Sequence, residues 1–295
     1  MGQKSLVRLA YCCIPGKSLS HSPKSNLANK AASSVPTTIF QKFFPTAKKP
    51  TQPRALLSSD HWPTRIYAIG DVHGCLSELK ALEKKIIADS AGLEGDKWIV
   101  MLGDYVDRGP DSAGVLNHIC GESPVGFRRI CLAGNHEIMM LQFLAMPEMT
   151  SGWLRFGGKE TLQSYGIELG DLVDLPMQQR SKLLNHRIPK AHVDKMTTLP
   201  LALSLPGVTF VHAGLRPGIA LQQQVEDDLL WIREPFLTGS GSFPFRVVHG
   251  HTPVDSPQIT GQRIGIDTRA FSSGVLTSLR IAEEFSLSFL NTGPS

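Results

Sequence analysis

Arg65-Ile66-Tyr67-Ala68-Ile69-Gly70-Asp71-Val72-His73-Gly74 decides the fold. Its first five residues read as a buried strand, and the glycine-framed loop that closes it carries a carboxylate and an imidazole. Beyond the loop, Leu76, Leu79, Leu82, Ile86 and Ile87 fall near helical spacing, which predicts a helix to about Asp89. The unit then repeats. Lys97 to Leu102 reads as a strand ending in Gly103-Asp104, with a helix from Asp111. Arg129 to Leu132 reads as a strand ending in Gly134-Asn135-His136-Glu137, with an apolar helix after it. A βαβαβα order implies a largely parallel sheet.

Working outward, residues 150–195 carry polar, helix-forming stretches such as Pro176 to His186, which predict a peripheral helical insert concerned with substrate selection. From Leu201 on, strand follows strand: Leu201–Leu205, Val208–His212, Phe245–His249, Arg263–Ile266, Val275–Ile281 and Phe285–Leu290. A second sheet stacked on the first is the economical arrangement, giving an α/β fold of two mixed sheets flanked by helices. His118, His186 and His192 have no motif around them and are expected at the surface.

The expected division is a basic, disordered tail over residues 1–60 and a catalytic domain over 61–295. Residues 1–59 hold nine Lys or Arg and no acid, +9, so the overall +4 leaves −5 for the remainder. Such a mildly acidic body argues against a nucleic-acid partner, which would ask for a basic stripe. The acid-free, Ser-rich tail resembles a transit peptide and equally resembles upstream codons included by a misplaced start. With 41% hydrophobic and 19% charged residues the chain is not disordered throughout. Its most apolar stretch, Met196 to Leu215, is broken by Pro200 and Pro206, against a membrane span. Five cysteines without paired spacing predict free thiols and a reducing compartment, hence the cytoplasm, or an organelle if the tail is a transit peptide.

Candidate metal ligands stand in loops directly after five predicted strands: Asp71 and His73, Asp104, Asn135, His212, and His251. In a largely parallel sheet the carboxyl ends of neighbouring strands lie side by side, so loops distant in sequence can meet in one crevice. Two carboxylates, three imidazoles and a carboxamide exceed one tetrahedral site and suit Mn, Fe or Zn better than Ca or Mg. Two ions about 3.5–4 Å apart, sharing the Asp104 carboxylate, would use them all.

The ordered motifs G-D-V-H-G (70–74), G-D-Y-V-D-R-G (103–109), G-N-H-E (134–137), V-H-A-G (211–214) and G-H-T (250–252) resemble those of the calcineurin-like metallophosphoesterases, in particular their phosphoprotein phosphatase branch. W-L-R-F-G-G-K-E-T (153–161) and L-L-W-I-R (229–233) resemble the bacterial, bacteriophage-lambda-phosphatase-like group within it. The resemblance implies a four-layer αββα fold. It places one metal on Asp71, His73 and Asp104 and the other on Asp104, Asn135, His212 and His251. Arg108 and Arg233, with Asn135, would bind phosphate, and His136 would be the general acid, oriented by Asp107. Glu137 would support the ligands.

On that pattern the chain is expected to be a metal-dependent Ser/Thr protein phosphatase acting on phosphorylated proteins or peptides, with manganese the favoured ion. Activated water would attack phosphorus while metal and guanidinium charge offsets that on the phosphoryl oxygens. Pro253 stands where nuclease relatives carry a second histidine, which lowers the expectation of nuclease activity. The first alternative is a symmetrical diadenosine tetraphosphate hydrolase, which shares the metal motifs. The second is a silent phosphoprotein-binding scaffold, whose mark would be loss of a ligand or of His136; none is lost.

Overall fold

The computed structural model describes residues 53–239, 243–282 and 285–293. Its first half is the expected repeat. Strand β2 (Arg65–Ile69), helix α1 (Leu76–Asp89), β3 (Lys97–Met101), α2 (Ser112–Cys120), β4 (Phe127–Cys131) and α3 (Asn135–Ala145) follow in order, and β2, β3 and β4 pair in parallel. Asp111 caps α2, its carboxylate accepting from Gly114 N–H at 2.8 Å.

The second sheet has the order β1 (Leu56–Ser58), β5 (Ala202–Leu205), β6 (Val208–Val211), β7 (Arg246–His249), β9 (Arg263–Gly265), β8 (Gln258–Thr260). β6, β7 and β9 run parallel to one another. Alternation along the strands splits the core in two. Ile66, Ala68, Trp98 and Val100 point between the sheets, against Leu203, Leu205, Val208, Phe210 and Val248. Tyr67, Ile69, Ile99 and Met101 point the other way, into Leu79, Leu82 and Ile86 of α1 and Val115 and Leu116 of α2. This is the expected pair of stacked mixed sheets flanked by helices.

Several expectations change. β10 (Thr277–Ile281) and β11 (Leu287–Asn291) join the first sheet, not the second, because β10 pairs antiparallel with β2 and β11 with β10. Ordered chain also begins before residue 61. β1 pairs with β5, Leu201 N–H donates to the Ala55 carbonyl at 2.9 Å, and the Arg54 guanidinium donates to the Met196 carbonyl at 2.8 Å. Residues 1–52, the rest of the expected tail, lie outside the described residues. Finally, His192 is buried between Tyr165 Oη (2.7 Å) and Asn117 Oδ1 (2.9 Å), whereas His186 is exposed.

The insert consists of a 3-10 turn (Gly152–Arg155), α4 (Gly158–Ser164), α5 (Gly170–Val173), α6 (Met177–Arg187) and α7 (Lys190–Thr198). Its first two elements are not peripheral: Trp153 and Thr161 are fully buried and reach the loop after β3. Among the described residues no helix is long and apolar enough to cross a membrane.

Candidate metal centre

The loops after β2, β3, β4, β6 and β7 meet at the carboxyl ends of their strands. His73 N–H donates to the Asp104 carbonyl (2.8 Å), Gly74 N–H to that of Tyr105 (2.9 Å), and Gly250 N–H to that of His212 (2.9 Å). Space is tight: a Cβ at Gly250 would strike the Asp71 carboxylate. His73, Asp104, Asp107, Arg108 and His251 all have φ between +41° and +75°. Left-handed backbone at non-glycine residues costs on the order of 1 kcal/mol each and persists where surrounding structure enforces it, as at functional sites.

Two triads of potential ligand atoms, each mutually within 4.8 Å, share Asp104: His73, Asp104 and His136, and Asp104, His212 and His251. All are buried except His251, which is partly buried. His73 Nδ1 donates to the Val106 carbonyl (2.8 Å) and His212 Nδ1 to that of Leu102 (3.0 Å), which leaves both Nε2 lone pairs facing Asp104 at 3.5 and 3.4 Å. Burial lowers the pKa values of the His73, His212 and His251 imidazoles, which favours their neutral forms. Asn135 Oδ1 stands 2.8 Å from His212 Nε2 and 2.9 Å from His251 Nδ1. A neutral His212 thus turns one acceptor on another, an arrangement that a cation satisfies.

The carboxylates tell the same story. Burial, then the charges of Asp267 and Asp104, push the Asp71 pKa well above the usual carboxylate range. Burial would also raise Asp104, but the imidazoles of His212, His136, His73 and His251 outweigh it and hold its pKa low. Crowded acids beside neutral imidazole lone pairs are a donor set suited to divalent cations. Asp71 lies beside the triads, where its oxygens accept from the His251 N–H at 3.1 and 3.2 Å.

His136 occupies two settings at once. Its Nε2 is 3.8 Å from Asp104, within the first triad, while its Nδ1 donates to Asp107 Oδ2 at 2.6 Å. Burial lowers its pKa, yet Asp104 and Asp107 prevail and raise it. The Asp107 carboxylate is held in turn by Trp153 Nε1 (2.8 Å) and Thr161 Oγ1 (2.7 Å). Arg108 donates to Nε2 of His73 (3.0 Å) and of His136 (3.1 Å), so its guanidinium closes one side of the crevice. Arg233 is exposed, and its charge helps to depress the His251 pKa.

Glu137 ties the loops together, accepting from the N–H groups of Asp104 (2.9 Å), Tyr105 (2.7 Å) and Gly134 (2.9 Å). Burial and the Asp104 charge raise its pKa to about 7. Three contributors escaped the sequence reading. Trp153 and Thr161 belong to the W-L-R-F-G-G-K-E-T motif, whose place in the insert hides their contact with Asp107. Asp267 follows β9 as Asp71 follows β2, a strand-then-acid pattern that could have revealed it. His249 is buried and donates from Nδ1 to the Gly250 carbonyl (3.1 Å), outside both triads.

Residues 64–276 match the calcineurin-like phosphoesterase family. The chain belongs to it. This membership makes the chain a metallophosphoesterase hydrolase and implies divalent metal ions. Among its relatives are asymmetrical bis(5′-nucleosyl)-tetraphosphatases. That of Geobacillus thermodenitrificans is 25% identical, with 77% of this chain and 94% of the relative covered; that of Bacillus subtilis is 26% identical, with 73% and 90% covered. Solved structures share the fold. A cold-active protein tyrosine phosphatase superposes with a TM-score of 0.53 at 19% identity, covering 81% of each chain. A Saccharomyces cerevisiae protein serine/threonine phosphatase gives 0.52 at 15%, covering 82% of this chain and 84% of its own.

Proposed function

We propose that the chain hydrolyses dinucleoside polyphosphates at a centre of two divalent ions, its mixed oxygen and nitrogen donors suiting manganese, iron or zinc. The observation that carries this reading is the likeness, along nearly the whole length of the relatives, to bis(5′-nucleosyl)-tetraphosphatases. It moves the preference from the Ser/Thr protein phosphatase first expected to the dinucleotide alternative. It also favours asymmetrical cleavage over the symmetrical kind.

In this reading Asp71, His73 and Asp104 hold one ion, and Asp104, Asn135, His212 and His251 the other. Bound there, the ions would make water a nucleophile at neutral pH and offset charge on the phosphoryl oxygens. Arg108, whose guanidinium already faces both His73 and His136, pairs with the equatorial oxygens of the phosphoryl group. Arg233 and the Asn135 carboxamide complete the grip. With Arg108 turned from His136 to the phosphoryl oxygens, Nε2 of His136 is free to carry a proton and deliver it to the departing oxygen, and Asp107 at Nδ1 keeps the ring oriented and favours its protonated form.

Chromatography of the products from diadenosine tetraphosphate tests the reading. ATP and AMP in equal amounts are expected, at a kcat/KM above that for a phosphoserine peptide. Two molecules of ADP would restore symmetrical cleavage, and faster peptide turnover would restore the protein phosphatase.

A further inference from the structure

A cleft of about 450 Å³ leads away from Arg108, walled by the turn after the 3-10 segment and by the short helix Ala270–Ser273. Two aromatic rings from distant parts of the chain open onto it. Phe156 is 45% and Phe271 37% exposed, high values for side chains that usually bury their rings. Arg108, Arg155 and Lys159 line the same cleft, with Glu160 the single acid among the lining residues. Cations beside exposed rings suit a ligand that carries both phosphates and a flat heterocycle.

Arg108 and Phe271 join the cleft to the metal centre. The Phe271 ring meets His73 edge-on at 5.5 Å, and the Arg108 guanidinium lies 4.9 Å from its centroid. On the other wall, Arg108 N–H donates to the Gly157 carbonyl at 3.3 Å. Gly157 has φ +109°, and a Cβ there would collide with the Arg108 backbone. Phe156 and Arg155 are thereby held next to the residue that pairs with the phosphoryl group.

We infer that this cleft is a nucleoside subsite: Phe156 and Phe271 stack a base, while Arg155 and Lys159 pair with phosphates between that base and the metal centre. The inference rests on the dinucleotide reading and assigns the residues that set its specificity. The volume suits a ligand of nucleotide size. A phosphoserine side chain needs Arg108 and the metals but has no heterocycle for the rings.

The test compares kcat/KM for diadenosine tetraphosphate with that for inorganic tripolyphosphate, using manganese-loaded protein. Phe156→Ala is expected to lower this ratio about tenfold, within the roughly 5- to 150-fold range set by stacking on one ring. Phe156→Leu, which keeps apolar bulk without an aromatic face, should fall with it. Phe156→Trp should retain the wild-type ratio, and Arg155→Ala with Lys159→Ala should raise KM for both substrates. Equal ratios in wild type, Phe156→Ala and Phe156→Leu would overturn the subsite while leaving the hydrolase reading intact. A wild-type protein that ignores diadenosine tetraphosphate would overturn both.

Discussion

Thr161→Val probes how the insert holds the catalytic pair. The substitution keeps the shape of a fully buried side chain and removes only its hydroxyl. That hydroxyl donates to Asp107 Oδ1 at 2.7 Å and accepts from Asp107 N–H at 2.8 Å. The N–H keeps Ser112 Oγ at 3.0 Å, so its loss is partial. The carboxylate oxygen loses its donor in a site closed to solvent, which costs about 2–3 kcal/mol. For a domain of this size that lowers the thermal midpoint by roughly 5–10 °C. Asp107 then keeps only its Oδ2 contacts to Trp153 and His136, and the looser carboxylate orients His136 less well, so kcat should fall about 10- to 100-fold while KM changes little. Thr161→Ser, which keeps the hydroxyl, should stay near wild type in kcat. Calorimetry beside steady-state kinetics reads both quantities. A valine variant as stable and as active as wild type would refute the link between insert and general acid.

Asp104→Asn should reduce metal content at both positions, because its carboxylate belongs to both triads; one full equivalent retained in elemental analysis would disprove the sharing. His136→Asn should cut kcat by roughly 10²- to 10⁴-fold with metal content unchanged. Lost metal would make His136 a ligand, as its place in the first triad allows. Glu83, away from the site, accepts from His118 (2.7 Å) and Arg129 (2.9 Å). Burial alone would raise its pKa from 4.5, but these partners outweigh burial and lower it. A lowered carboxylate pKa stabilises the fold above the unfolded value of about 4.5 and loses that contribution as pH falls below it. Glu83→Gln should therefore cost about 3 kcal/mol at pH 7 in urea unfolding, through the stranded Arg129 charge, and progressively less below pH 4.5. A pH-independent difference would contradict the ion pair.

Local patterns made most of the frame legible. Strands buried on both faces and closed by glycine-framed acids mark β2 and β3 to within a residue, because both the period and the loop chemistry are local. Sheet membership is not local. Nothing in Val275–Ile281 says that it pairs with β2 rather than with β9, a choice made by packing between the sheets. β1 is three residues in a lysine-rich, acid-free stretch, too short to show a period. At the site, residue identities were legible from the recurring loops. The bonds from Trp153 and Thr161 to Asp107 were not, since they join the insert to a loop some fifty positions away.

Anomalous scattering from crystals grown with manganese tests the central claim most directly. Two peaks should flank the Asp104 carboxylate, one within ligand distance of His73 and the other of His212 and His251. A single peak, or ions held without Asp104, would contradict the dinuclear centre.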